Sequence, residues 1–150
     1  MRTKTIDHFL RATWQAVSKM YNEEASRYGA TMATGLALLS IDAEEGVPST
    51  SLGPRMGMES TSLSRTLKTM ENQGLIRREP NPQDGRSVLI RLTKEGLEKR
   101  SLSREVVMHF NQVIEESVSP EELKSFYKVI ELILQKVQEK SIFIPQKQVS

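Results

Sequence analysis

Between Leu75 and Leu92, two short stretches of alternating side chains flank eight residues of turn chemistry. This unit limits the fold more than any other feature of the chain. Leu75 to Glu79 sets Leu75 and Arg77 against Ile76 and Arg78, and Val88 to Leu92 sets Leu89 and Arg91 against Val88, Ile90 and Leu92. A period of two marks strands. The segment between them, Pro80-Asn81-Pro82-Gln83-Asp84-Gly85-Arg86-Ser87, contains an Asp-Gly step and two prolines. It predicts a hairpin with a long loop whose tip carries one basic residue, Arg86.

Helical periodicity surrounds the hairpin. Glu59 to Gln73 predicts a helix with Leu63, Leu67 and Met70 inward and Gly74 as its C′ stop. Ser49 to Met56 predicts a short helix before a turn at Gly57, with Pro54 close enough to the first turn to be tolerated. Upstream, Ile6 to about Tyr28 and Thr31 to Ala43 predict two more helices, with Gly46 and Pro48 ending the second. Downstream, Thr93 caps a helix from Lys94 towards Ser117, although Lys99 to Arg104 interrupts its apolar face. Ser119-Pro120-Glu121-Glu122 reads as a capping box with Pro at the first helical position. The apolar stripe from Leu123 to Val137 follows, then a tail, 142–150, without periodicity.

The expected fold is mainly α with a small β-hairpin wing. Residues 31–92 form a winged helix-turn-helix lobe, and 1–30 with 93–141 form a helical dimerisation region within a single 150-residue chain. The long end helices have apolar faces too wide for a small central unit to cover. A second copy of the chain is the favoured cover, with an intramolecular bundle as the alternative.

Composition removes several function classes. There is no cysteine, so disulfides, thiolate metal sites and thiol redox switches are excluded. His8 and His109 are far apart in sequence, and no cofactor or metal site is expected. No Ser/His/Asp grouping, phosphate loop or glycine-rich fingerprint points to an enzyme. No apolar run approaches a membrane span, and the N-terminus lacks an export core, so a cytoplasmic protein without a membrane partner is expected.

Charge is uneven. Residues 55–104 carry eleven Lys/Arg against six Asp/Glu, a net of +5, while the remainder carries ten against thirteen, a net of −3. A basic middle suits a polyanion. The start of the fourth helix supplies Ser60, Thr61, Ser62, Ser64 and Arg65, with Lys68 one turn on. Small hydroxyls admit a helix into the major groove, and Arg reads guanine bidentately. The wing tip offers Arg86 to a minor groove, with Asp84 placed to hold its guanidinium. Arg77, Arg78 and Arg91 on the strands are placed to reach phosphate, with Arg77 and Arg91 equally placed to remain solvated on the sheet. A winged helix that binds protein instead of DNA is the alternative, though it has no need of this basic tip and hydroxyl-rich helix start.

These residues carry a resemblance. The runs Met58 to Arg65, Glu71 to Arg78 and Pro80 to Gly96 resemble the MarR family of bacterial winged-helix transcriptional regulators. The family wing carries Asp, one residue, Arg, then Ser or Gly, which here are Asp84, Arg86 and Ser87. Two positions depart from its pattern: Gly53-Pro54 in the third helix, and Glu59 at the fourth helix's cap. The resemblance implies a homodimer on a pseudo-palindromic double-stranded DNA operator, acting as a ligand-responsive repressor. Ser60, Thr61, Ser62, Ser64, Arg65, Lys68, Arg77, Asp84, Arg86 and Ser87 are its DNA-binding candidates. It also implies a small aromatic or amphiphilic effector in a cleft walled by the first, second and fifth helices, for which His8, Trp14, Tyr21, Tyr28 and Met32 are the candidates.

Overall fold

The structure, a computed structural model, describes residues 4–144. The last six residues of the expected tail lie outside that range. The order is α1 (Ile6–Ser26), α2 (Met32–Ser40), β1 (Val47–Pro48), α3 (Ser49–Met56), α4 (Ser60–Asn72), β2 (Ile76–Pro80), β3 (Val88–Leu92), α5 (Lys94–Ser117) and α6 (Pro120–Gln138). The chain divides into two compact units after Val107, within α5.

The first unit holds the core. Ala37, Leu38 and Ile41 from α2, Leu52 and Met56 from α3, and Leu63, Leu67 and Met70 from α4 pack with Val47, Leu75, Ile76, Ile90 and Leu92 of the sheet region. Burial of this apolar surface is the main force holding the lobe together. The sheet corrects the two-stranded expectation, because its order is β1-β3-β2, all antiparallel. Val47 and Pro48 pair with Ile90 and Leu89. A two-residue strand is too short to alternate visibly, and Pro48 reads as a breaker in sequence. Proline is nevertheless compatible with the edge strand it occupies here.

Local chemistry sets the helix ends. α4 closes in a Schellman turn: Gly74 N donates to Glu71 O at 3.0 Å, and Leu75 N donates to Met70 O at 2.9 Å. Gly74 takes φ +73°, a conformation that costs an L side chain. Ser119 Oγ accepts from Glu122 N at 3.1 Å while Glu122 Oε1 accepts from Ser119 N at 3.1 Å, completing the capping box. Pro54 falls in the second turn of α3, not the first. It cannot donate to the Thr50 carbonyl, but Thr50 is exposed and water can serve that oxygen.

Within the second unit, α6 buries no residue, and Phe126, Leu134 and Val137 are each more than half exposed. In the first unit α1 likewise buries none, and Phe9 and Trp14 are open. These are the wide apolar faces that the sequence pattern predicts for the end helices.

Leu52 is fully buried where α3 meets the core. Leu52→Ala is expected to cost about 2–5 kcal/mol, read as a lower urea midpoint with an unchanged m-value.

Candidate nucleic-acid interface and cavity

α4 separates its residues cleanly by face. Leu63, Leu67 and Met70 are buried, while Ser60, Thr61, Ser62, Ser64, Arg65 and Lys68 are exposed. Glu59 occupies the N-cap without a side-chain cap bond, as its poor capping geometry predicts. The first turn itself holds no acid, and its N–H groups receive no side-chain bond from the cap. Among the described residues, no carboxylate pairs with Arg65, Lys68 or Arg86.

The wing loop is held by its own hydrogen bonds. Asn81 Oδ1 accepts from Gln83 N at 3.0 Å, and Asn81 Nδ2 donates to Ser87 Oγ at 2.8 Å. Ser87 Oγ donates to Asp84 O at 3.4 Å. Asp84 Oδ1 accepts from Arg86 N at 3.0 Å. This corrects the expected role of Asp84, which holds the Arg86 backbone and not its guanidinium. The short Asp side chain reaches the amide two residues on more readily than it reaches the end of a long Arg side chain. Asn81, which sequence reasoning passed over as a turn former, is the organising side chain of the loop.

The strand arginines are engaged. Arg77 and Arg91 stand directly opposite each other across β2 and β3, an arrangement that costs energy for like charges. Glu79 resolves it: Oε1 accepts from Arg77 Nε at 2.8 Å and Oε2 from Arg91 Nε at 2.7 Å. Arg91 also donates to Glu44 O at 2.9 Å, and Arg78 pairs with Glu71 at 2.6 Å. Of the basic candidates, Arg77 is thus partnered within the sheet, unlike Arg65, Lys68 and Arg86.

A cavity of about 330 Å³ lies within the first unit. Its walls come from α1, α2 and α5, as expected, together with Gln73 and Leu75 at the end of α4. Trp14, Tyr21, Tyr28 and Met32 line it. His8 does not; it sits near the start of α1, edge-on to Phe9 at 5.8 Å between ring centroids. Burial pushes the Tyr21 hydroxyl up from its ordinary pKa. Sequence reasoning missed Lys99 and Ser103, both on the lining. The signal was present: they fall in the polar stretch that interrupts the apolar face of α5. Lys99 Nζ donates to Tyr28 O at 3.4 Å and is the only cationic side chain on the lining. Among the described residues, no group of three His, Asp or Glu is placed to hold a metal, and no helix is long and apolar enough to cross a membrane.

The sequence and the fold both have known counterparts. Residues 30–88 match the model of the MarR family. An organic hydroperoxide resistance transcriptional regulator of Bacillus subtilis (strain 168) is 36% identical over 87 residues, 58% of this chain and 59% of the relative. The chain matches about three-fifths of the length of the first curated relatives it resembles. The PcaV transcriptional regulator of Streptomyces coelicolor, solved with its natural ligand, superposes with a TM-score of 0.74 at 25% identity, covering 91% of this chain and 99% of that one. MepR of S. aureus, solved in a DNA complex, superposes at 0.81 with 18% identity over 89% of this chain and 99% of the other, a likeness of fold.

The two arginines hold the Glu79 carboxyl below its ordinary pKa, first through the Arg77 hydrogen bond. A depressed carboxyl pKa contributes stability above the unfolded-state value, about 4.3, and loses it as pH falls through the folded value. Glu79→Gln is therefore expected to be less stable than the wild type at pH 7, with the gap closing below about pH 4. Urea midpoints of both proteins at pH 7 and at successively lower pH decide it; a gap that does not narrow as the pH falls contradicts the assignment.

Proposed function

We propose that this chain is a MarR-family protein that acts as a homodimeric, sequence-specific DNA-binding transcriptional regulator, a repressor released by a small effector. One observation carries the DNA-binding part of the reading. The only basic side chains of the fourth helix and the wing tip, Arg65, Lys68 and Arg86, are exposed and have no carboxylate partner among the described residues, while the arginines of the wing strands are paired. Unpaired cations on a protruding surface release counterions when they meet phosphate.

In this reading α4 enters the major groove, with Ser60, Thr61, Ser62 and Ser64 close to base edges or phosphates and Arg65 on guanine. Lys68 meets the backbone. Arg86 enters the adjacent minor groove, where narrow A·T tracts concentrate negative potential. Asp84 and Ser87 serve by holding the loop. Arg77 acts beside Glu79, which lowers its effective charge towards DNA. The effector is an apolar or aromatic acid: the cavity walls are aromatic and aliphatic, and Lys99 supplies the one positive charge. The absence of cysteine separates this chain from any thiol-based response to hydroperoxide, whatever its Bacillus relative does.

Arg86→Ala is expected to weaken operator binding by about 1–3 kcal/mol and to make the salt slope shallower by roughly one unit, with the thermal midpoint unchanged. Fluorescence anisotropy at matched salt measures both, and unchanged affinity removes the wing from the interface. The exposed α6 stripe is the proposed dimer seam. Leu134→Glu combined with Val137→Glu is expected to sediment as a monomer and to protect one half-site. The intact dimer should protect two half-sites about 10–10.5 bp apart, centre to centre, or a multiple of that spacing. A charged variant that remains dimeric places the seam elsewhere.

A further inference from the structure

The cavity and the outward face of α4 share one joint. α4 ends on Gln73, Gly74 and Leu75, and the first and last of these line the cavity. Thr93 follows the last wing strand and precedes α5. It holds that end of α4 through two hydrogen bonds and the start of α5 through a third. Its N–H donates to Leu75 O at 3.0 Å, and its hydroxyl donates to Gly74 O at 2.5 Å. The same hydroxyl oxygen accepts from Gly96 N at 3.0 Å, capping α5. Gly96 then backs directly onto the Leu75 carbonyl, so closely that a Cβ at this position would overlap the oxygen. From this contact α5 runs on into the cavity wall through Lys99, Ser103 and Val106.

We infer that Thr93 is a positioning residue that transmits occupancy of the cavity to the DNA-reading helix. A body that fills the cavity must spread α5 from α1 and α2. Helices and packed interfaces shift as units instead of deforming continuously. The start of α5 therefore moves, and the three hydrogen bonds and the Gly96 contact carry Gly74 and Leu75 with it. The Schellman turn then passes the displacement into α4, because Leu75 N is bonded to Met70 O and Gly74 N to Glu71 O. The wing moves as well, since Thr93 directly follows β3. The inference rests on reading the cavity as the effector site and α4 as the DNA-reading helix.

A double-mutant cycle tests it without an identified effector. Val106→Phe places a ring in the cavity, and Thr93→Val keeps the side-chain shape but removes the hydroxyl. The full-length wild type, both single variants and the double variant are titrated against one duplex selected from a random-sequence pool. Val106→Phe is expected to raise the operator Kd ~10-fold alone and by less than about 3-fold in combination with Thr93→Val, a coupling of the size typical between sites. Thr93→Ser, which keeps the hydroxyl, should restore the full effect. A merely structural Thr93 would give the same factor in both backgrounds, and that result overturns the proposal, as does a Val106→Phe variant that binds the operator like wild type. Gly96→Ala is the second probe, because its Cβ would push the start of α5 off Leu75 without entering the cavity. It should weaken operator binding and, because Leu75 and α5 line the cavity, also shift the uptake of 8-anilino-1-naphthalenesulfonate; unchanged operator affinity counts against the joint. If wild type fails to bind that dye while the cycle still shows coupling, the effector reading falls and the joint stands.

Discussion

Leu63, Leu67 and Met70 recur at three- and four-residue steps on α4, and all three are buried against α2, α3 and the sheet. Once that face is buried, the helix has no rotational freedom. Ser60, Thr61, Ser62, Ser64, Arg65 and Lys68 must then point away from the core. The surface that meets DNA in the proposed function is thus set by hydrophobic burial on the opposite side of the same helix. The hairpin depends on the same constraint. Ile76, Ile90 and Leu92 join that core, which fixes strand register and places the loop of 81–87 beyond the packed part of the lobe.

What was legible in the sequence follows from the range over which each signal acts. α3, β3 and α5 have the bounds that local pattern and capping chemistry predict, and α4 differs by one residue at each end. Its end is written in Gly74, and the start of α6 in Ser119 and Glu122. β1 was not legible, because two residues carry no period and its existence depends on Leu89 and Ile90 arriving from more than forty residues away. The same limit explains the arginines. Arg77 and Arg91 look equivalent to Arg86 in a charge count, yet register places them opposite each other and Glu79 beside both. Non-local pairing separates a structural cation from one left available to a ligand. The cavity is lined from the three helices that the sequence reading names, without His8, and Lys99 lies in a stretch that reads in sequence only as a break in periodicity.

The wing loop is shaped by its own hydrogen bonds, which in the proposed function prepare a charged contact. Asn81, Asp84 and Ser87 satisfy one another and the loop backbone, so the loop is shaped before any partner arrives. Ordering a rotamer-rich side chain at an interface costs about 0.5–1.5 kcal/mol, and a loop already fixed adds little to that. Had Asp84 gripped the Arg86 guanidinium instead, minor-groove entry would first have required breaking a charge-assisted bond. Holding the backbone amide leaves the cation unneutralised by a partner while its base is anchored. A polar side chain adjacent to a functional arginine is thus best read by the atom it bonds, since the same Asp in the same loop either restrains the cation or presents it.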